Sequence, residues 1–399
     1  MYCHYGLTIF IKLKMKLNKV RIFLLNLFFI SINFEIWDPL NTGGIFSISK
    51  LFGYLFFSSI LTDLGYFLKI KKIYSKYIVP LLLFFGYLTF VNIINLNFTS
   101  YYFFSASIFQ NIILFIILLN FEYRYPGSLL KAFLFFAYGS LILSVLYFFG
   151  IGVEIAEFGG RTTMFGDNEN NVGIRMAIST IIFWRFFNQS EFSNFLKTIL
   201  YLFPIPFLLI LLIDTGSRVS LISVSLALMF SFLFIKKKYL TSKLLFIICG
   251  VILLFYGINF VFESDVMGSR IQKTIDDGTL AGRDEIWKRV TPFILDNLIF
   301  GVGNSGYSYF SFKEFGNLKA IHNVFIEVLV YTGIIGFSLY SYFFMKIIKN
   351  SYRVYKKMNE ILPILLLIPI LGLMLSAQLL NVKTGWIIFA YIASQSKTF

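Results

Sequence analysis

The chain has 399 residues, of which 58% are hydrophobic and only 14% are charged, whereas a soluble domain carries about 25% charged residues. This composition excludes a soluble globular protein, because the apolar residues form long runs along the whole chain, each near the length that crosses a bilayer. The net charge of +15 lies in short lysine and arginine clusters between these runs, which is typical of membrane-protein loops and argues against a nucleic-acid-binding surface.

A basic stretch precedes the first apolar run. It consists of Lys12, Lys14, Lys16, Lys19 and Arg21. No small-residue cleavage site follows the run, so we expect residues 1–20 to be a cytoplasmic tail and the run to be an uncleaved first span. Met15 is an alternative start of translation.

The apolar runs predict an all-α, polytopic integral membrane protein with about 12 transmembrane helices. The predicted spans are 21–37, 45–68, 77–96, 101–121, 128–152, 169–187, 195–213, 217–235, 243–262, 323–345, 361–380 and 384–396. Nine of them lie in residues 21–262 and three in residues 323–399, which also hold the C-terminus. Between these parts, residues 263–322 form one long loop that we expect to contain short helices.

The distribution of basic residues orients these spans. With the N-terminus inside, the segments that face the cytoplasm carry most of the lysine and arginine, while the short external loops carry little, as cytoplasmic loops require. An even number of spans then places both termini in the cytoplasm and the loop 263–322 outside.

Two local patterns occur in this loop. Arg283, Trp287, Val290 and Ile294 recur at helical spacing and predict an amphipathic helix on the membrane surface, kinked or shortened by Pro292. The stretch 301–306 reads G-x-G-x-x-G, yet no strand precedes it, so the dinucleotide-binding interpretation fails and a flexible turn is favoured.

Charged residues near membrane depth are costly and usually functional. Arg218 lies in a tight external turn after Asp214, where its guanidinium can bind two phosphate oxygens at once. The alternatives are that it anchors the helix at the lipid headgroups or pairs with Asp214. Arg161 lies just before the sixth span and Arg175 within it, where Arg175 could instead form a structural ion pair.

His322 lies where the long loop re-enters the membrane. A histidine can accept a proton near neutral pH, although one at a helix start is often only a cap or an anchor. Glu327 is about one helical turn further on and could orient or pair with it.

The order of these features resembles the O-antigen ligase and O-antigen polymerase superfamily of bacterial membrane glycosyltransferases. The motifs that carry the resemblance are Thr215-Gly-Ser-Arg218-Val-Ser, Gly282-Arg283-Asp-Glu-Ile-Trp287, Gly301-Val-Gly303, and His322-Asn323 followed by Gly333-Ile-Ile-Gly336. The similarity is confined to roughly residues 210–340, and the first five spans match only in hydropathy.

The resemblance implies transfer of a glycan from undecaprenyl pyrophosphate to an acceptor hydroxyl at the periplasmic face of the inner membrane. Arg218 would hold the donor pyrophosphate, assisted by Arg161 or by a loop arginine, with Arg283 preferred to Arg270 and Arg175 as a further candidate. His322 would activate or position the acceptor hydroxyl, with Glu327 beside it as a further catalytic residue.

Within this superfamily the sequence favours a polymerase, which joins the glycan to a lipid-linked repeat unit, over a ligase, which joins it to lipid A-core. A flippase for lipid-linked oligosaccharide is the alternative of another class, but the two related halves common in transporters are not visible. Neither a cofactor nor a metal is expected, since the external loops lack clustered ligands and Cys3 and Cys249 are far apart in sequence. Expected partners are the lipid-linked oligosaccharide, membrane lipids and other polysaccharide-assembly membrane proteins, with no nucleic acid.

Overall fold

The chain folds into an α-helical bundle in a computed structural model. The structure describes residues 2–95, 98–156, 160–189, 193–233, 264, 266–277, 282–377 and 379–398. The predicted ninth span, 243–262, lies outside the described residues.

The helices of the first half follow the predicted spans, except that the first helix also covers nearly all of the predicted tail 1–20 and that the second span is broken. Their bounds are α1 Tyr2–Ser31, α2 Ile48–Ile60, α3 Leu64–Phe67, α4 Lys72–Ile94, α5 Phe98–Arg124, α6 Ser128–Phe148 and α7 Glu169–Gln189. The predicted second span, 45–68, is divided by a 3-10 turn at Leu61–Asp63.

The second half contains α8 Asn194–Lys197, α9 Pro204–Asp214, α10 Arg218–Leu233, α11 Met267–Asp277, α12 Arg283–Asp296, α13 Gly303–Phe315, α14 Val324–Met358, α15 Leu362–Ser376 and α16 Lys383–Ser394. A π-helical turn, Thr198–Leu202, joins α8 to α9. Helix α14 has 35 residues and runs well past the predicted span 323–345. Helix α16 has 12 residues, a length of about 18 Å, which is less than the thickness of a bilayer core.

Helix length and composition agree with a multi-pass membrane protein. Six helical segments in the described part of the chain are long and apolar enough to cross a bilayer, namely Lys16–Phe34, Lys72–Ile94, Ser105–Arg124, Ser128–Phe148, Asn194–Asp214 and Val324–Met358. Arg218–Ser231 and Leu362–Ser376 are shorter apolar helices. The predicted fold class is therefore confirmed as a helical membrane protein, while the number of about 12 spans stays a prediction.

A short β-hairpin departs from a purely helical fold. Strand β1, Val153–Ile155, pairs antiparallel with β2, Thr162–Met164, between α6 and α7. This hairpin was not expected from the sequence pattern. It matters because Arg161 directly precedes β2 and is thereby held against the bundle.

A break in α14 docks the long loop onto the bundle. Gly333 has the non-helical backbone angles φ 55° and ψ −163°, so neighbouring backbone groups lose their helical partners. The loop supplies them: the Val302 amide donates to the Val330 carbonyl at 3.0 Å, and the Ile334 amide donates to the Leu298 carbonyl at 2.8 Å. A side chain at Gly333 would collide with the backbone of Ile299.

Helix α12 forms as predicted, but its apolar face packs on the protein. Val290 is fully buried, and the indole nitrogen of Trp287 donates to the Ile321 carbonyl at 2.8 Å. Pro292 lies inside the helix without ending it. The face that suggested a membrane-surface helix is thus used at least in part for packing against the start of α14.

Ion pairs identify which helix ends lie together. Lys383 at the start of α16 pairs with Glu35 just after α1 at 2.7 Å, and Arg185 near the end of α7 pairs with Glu360 just after α14 at 2.7 Å. Helix α14 begins just after His322 and ends just before Glu360, so these two residues lie at opposite ends of the bundle. We call the two ends of the bundle the His322 end and the Arg185 end.

We expect the His322 end to face the periplasm. In a variant whose native cysteines are replaced by serine, an impermeant thiol reagent applied to intact spheroplasts should label Asn317→Cys and not Lys356→Cys. Both positions are exposed, so accessibility to the reagent reports the side of the membrane. Labelling of Lys356→Cys alone would reverse the topology.

Candidate active site

The turn between α9 and α10 is closely approached by other side chains. Gly216 has φ 61°, and a Cβ added there would lie 3.0 Å from the Cδ of Arg270. The Thr215 hydroxyl donates to the Leu212 carbonyl at 2.6 Å, which closes the end of α9. Glycine is therefore required at 216 both for the left-handed backbone and for the contact with Arg270.

Arg161 holds this turn in place. Its Nε donates to the Thr215 carbonyl at 2.9 Å, and its Nη2 donates to the Asn170 side chain at 2.9 Å. Its Nη1 lies 3.4 Å from a carboxylate oxygen of Glu169. Because all three nitrogens are engaged and the side chain is buried, Arg161 connects the start of α7 to the turn that carries Arg218.

Within the described residues, Arg218 does not pair with Asp214, which was one of the alternatives for it. The carboxylate of Asp214 accepts a hydrogen bond from the Tyr147 hydroxyl, so Asp214 is committed elsewhere. The half-buried Arg218 makes one long hydrogen bond, from Nη1 to the Arg270 carbonyl at 3.5 Å. An arginine has five N–H donors, and most of those of Arg218 are not used within the described residues.

Four arginines meet at this point of the His322 end. Burial, Arg161 and Arg218 together lower the pKa of Arg270 to about 10. Burial, Arg218 and Arg161 also lower the pKa of Arg283. We call Arg161, Arg218, Arg270 and Arg283 the arginine cluster.

Positive charges lie close together in the arginine cluster. Burial is the main cause that lowers the pKa of Arg161, Glu169 opposes it, and Arg218 adds to it. Among the described residues, Glu169 is the carboxylate that interacts electrostatically with the cluster. Guanidiniums stay protonated at neutral pH, so several positive charges repel one another in a partly buried space. An anion bound between them would relieve this repulsion.

His322 lies beside the cluster. Burial lowers the pKa of its imidazole below the ordinary value of 6.5, and the positive charge of Arg283 lowers it further. Its backbone is left-handed, with φ 54°, while the next residue, Asn323, caps α14 by accepting from the Phe325 amide at 3.0 Å. The cap is therefore Asn323, and His322 is a half-buried base that is neutral at pH 7.

Glu327 does not contact His322 among the described hydrogen bonds. Its side chain is fully buried, and its Oε1 accepts from the Tyr331 hydroxyl at 3.1 Å. The structure thus places Glu327 inside the bundle, below the site, in place of the interaction with His322 considered from the sequence.

Arg175 is also separate from the cluster. Its Nη2 forms a buried ion pair with Asp167, and its Nη1 donates to the Asn33 carbonyl at 2.9 Å. This is the structural ion pair considered as the alternative for Arg175. It fixes the loop before α7 against the end of α1, and through that loop it supports Arg161.

The Arg175–Asp167 pair should be important for stability. Asp167→Asn leaves a buried guanidinium without its counter-charge, which costs about 3–5 kcal/mol. We expect a clear drop in the thermal unfolding temperature of the purified protein. Glu285→Gln is the matched control, because its pair with Arg289 is exposed and exposed pairs contribute about 1 kcal/mol or less. Equal unfolding temperatures for the two variants would contradict the structural role.

The described residues include no group of three or more His, Cys, Asp or Glu side chains arranged to hold a metal ion. At this end of the bundle the described residues bring several guanidinium groups close to one imidazole. Such an arrangement suits an anionic group that must be held, and charge-stabilised, beside a hydroxyl that must lose a proton.

Comparison with known families agrees with this geometry. Residues 204–341 match the family model described as O-antigen ligase. Over this segment the chain is similar to the O-antigen ligase family. No curated protein shows significant similarity to it.

The matching segment covers about a third of the chain and contains most of the candidate site. Arg218, Arg270, Arg283 and His322 all lie within residues 204–341. Arg161 lies outside that segment, so its place in the cluster rests on the contacts with Thr215 and Glu169 alone.

Several supporting residues were not predicted as such. Asp167, the partner of Arg175, was not predicted from the sequence. Glu169 was not considered as the partner of Arg161. The available signal was the run of polar residues 167–171 directly before an apolar helix that contains an arginine, since a buried arginine needs a nearby carboxylate.

Proposed function

We propose that this protein is an O-antigen polymerase. It would transfer a growing glycan from undecaprenyl pyrophosphate to a lipid-linked repeat unit at the periplasmic face, with inversion at the anomeric carbon and without a metal. The observation that carries the proposal is the arginine cluster beside His322, whose imidazole pKa is lowered by burial and by Arg283.

The donor side of the reaction needs charge stabilisation. As the bond between the anomeric carbon and the pyrophosphate oxygen breaks, negative charge develops on the leaving group. Arg218, Arg270 and Arg283 would bind this charge, and pre-positioned cations in a partly buried site are effective at this. Arg161 would act as a positioning residue, because its three nitrogens are already engaged with the protein.

The acceptor side needs a base. A hydroxyl of the repeat unit would attack the anomeric carbon from the face opposite the pyrophosphate, and His322 would take its proton. The new glycosidic bond replaces the bond to the pyrophosphate, and undecaprenyl pyrophosphate leaves. A base with a pKa below neutrality is unprotonated at pH 7 and available for this step.

A ligase is the second candidate, because the matching family model is described as O-antigen ligase. The same arginines and histidine would serve, since only the acceptor differs. The family match does not separate the two activities.

The lipopolysaccharide of a deletion strain distinguishes them. A polymerase mutant should carry core with a single repeat unit, because ligation still occurs. A bare core with accumulated lipid-linked polymer would identify a ligase and refute the polymerase proposal. Complementation with the intact gene should restore the full ladder in either case.

A further inference from the structure

A second basic site lies at the Arg185 end. A cavity of about 430 Å³ opens between the start of α4, the last turns of α14 and the C-terminal 3-10 turn Gln395–Thr398. Four of its seven lining residues are cations. They are Lys72, Lys76, Arg353 and Lys357, and the others are Ile73, Asn350 and Ser396.

This site is distinct from the arginine cluster. Arg353 follows His322 by 31 positions, nearly all of them in α14, which corresponds to roughly 45 Å at 1.5 Å per residue. Nothing in the proposed transfer reaction uses it.

The charges converge on the cavity. Lys76 is half-buried, and it interacts electrostatically with Arg353 and Lys346, which both lie on α14. No carboxylate lines the cavity within the described residues. Lysine side chains that extend independently toward the lipid headgroups would spread apart. The arrangement of these side chains around one shared cavity therefore points to a bound anion.

The backbone adds to the attraction for an anion. Helix α4 begins at Lys72 without a side-chain cap. In its first turn, the amides of Tyr74 and Ser75 donate to the Lys71 carbonyl, whereas those of Lys72 and Ile73 have no acceptor within the helix. Two residues of that turn, Lys72 and Ile73, line the cavity. A helix N-terminus favours negative charge, and here it faces the same space as the cations.

A buried hydrogen-bond acceptor in the cavity indicates a second feature that the ligand should have. Asn350 is 1% exposed; its side-chain nitrogen donates to the Ile392 carbonyl at 2.6 Å, while its Oδ1 accepts no hydrogen bond from the described residues. Because Asn350 lines the cavity, a ligand that carries a hydroxyl near its anionic group would satisfy this oxygen.

We propose that this cavity binds the headgroup of an anionic phospholipid that carries both a phosphate and a hydroxyl, as in phosphatidylglycerol. The phosphate lies among Lys72, Lys76 and Arg353 at the first turn of α4, and the headgroup hydroxyl donates to Asn350 Oδ1. The bound lipid would connect α4 to α14 at the end of the bundle opposite His322.

Binding can be measured on the purified full-length protein by native mass spectrometry with added lipids. Phosphatidylglycerol should bind at least tenfold more tightly than phosphatidylcholine, which has no net charge. It should also bind roughly fivefold more tightly than phosphatidylmethanol, which has the same charge and lacks the hydroxyl. Equal binding of phosphatidylglycerol and phosphatidylcholine would refute the site, and equal binding of the two anionic lipids would refute the role of Asn350.

A pair of double variants locates the binding. Lys76→Gln with Arg353→Gln removes two charges from the cavity and should weaken phosphatidylglycerol binding by about tenfold to thirtyfold. Lys349→Gln with Lys356→Gln removes the same charge from exposed positions on the same end of α14, outside the cavity, and should change binding by less than about twofold. Equal weakening in both would show a diffuse charge effect and overturn the proposal.

Inorganic phosphate separates the two possible sources of the anion. If the ligand is a lipid, millimolar phosphate should leave the bound phosphatidylglycerol in place. Displacement of the lipid by phosphate at equal concentration would identify a site for a soluble phosphate and overturn the lipid assignment. The unfolding temperature without lipid, compared between wild type and both double variants, checks that all three are folded.

Discussion

Arg218→Lys should slow glycan transfer by about tenfold to a hundredfold while membrane abundance stays unchanged. Lysine keeps the positive charge and loses the planar fork that binds two phosphate oxygens. A hydrogen bond to a charged group contributes roughly 1.5–3 kcal/mol, which corresponds to this range of rates. The structure supports a clamp because Asp214 is occupied by Tyr147 and leaves Arg218 to other ligands.

Transfer from lipid-linked substrate by purified protein is the measurement, and EDTA in the assay tests metal independence together with it. Arg218→Ala should be slower than Arg218→Lys. Arg289→Lys is the matched control, since Arg289 lies on α12 near the cluster in sequence but pairs on the surface with Glu285. Wild-type rates for both Arg218 variants would leave it as a membrane anchor.

The meeting of the arginine cluster with His322 could be expected from the sequence, for two separate reasons. Arg161, Arg218 and His322 each lie at the boundary of a predicted span, and alternation of the spans puts those boundaries on one side. Arg283 was selected through the resemblance, because its motif 282–287 recurs in the superfamily. The structure agrees, since Arg283 lowers the pKa of the His322 imidazole.

The partners of buried charges could not be obtained in the same way. Arg175 and Asp167 are eight positions apart, across the start of α7, and the pairing depends on how the loop folds back. Glu327 is close to His322 along the helix, yet the direction of its side chain depends on Tyr331 and on the surrounding helices. Sequence spacing gives proximity along one helix and does not give the neighbours from other helices.

The break at Gly333 shows a similar limit. The sequence pattern Gly333-Ile-Ile-Gly336 was used only as part of a family motif. In the structure, Gly333 interrupts α14, and the Gly301-Val-Gly303 stretch packs closely against the gap. The two glycine motifs are therefore one structural device, because each backbone needs the other to approach without side chains.

His322→Asn should reduce transfer by about a hundredfold to ten-thousandfold, the range associated with loss of a general base. Asparagine is the suitable replacement because His322 has φ 54°, a conformation that asparagine tolerates and most other residues do not. The variant should therefore fold like the wild type, with the same unfolding temperature. A rate within a few-fold of wild type would remove His322 from the reaction.

The pH profile tests the same residue without removing it. Neutral imidazole is the active form, so the transfer rate should fall only as pH drops through the lowered pKa of His322. Burial is the main cause of the lowering and Arg283 is the second, so Arg283→Gln should raise this pKa and move the acidic limb of the profile to higher pH. Arg218→Lys, which keeps its charge, should lower the rate without moving the limb. An acidic limb at the same pH in wild type and Arg283→Gln would show that the titrating base is a group other than His322.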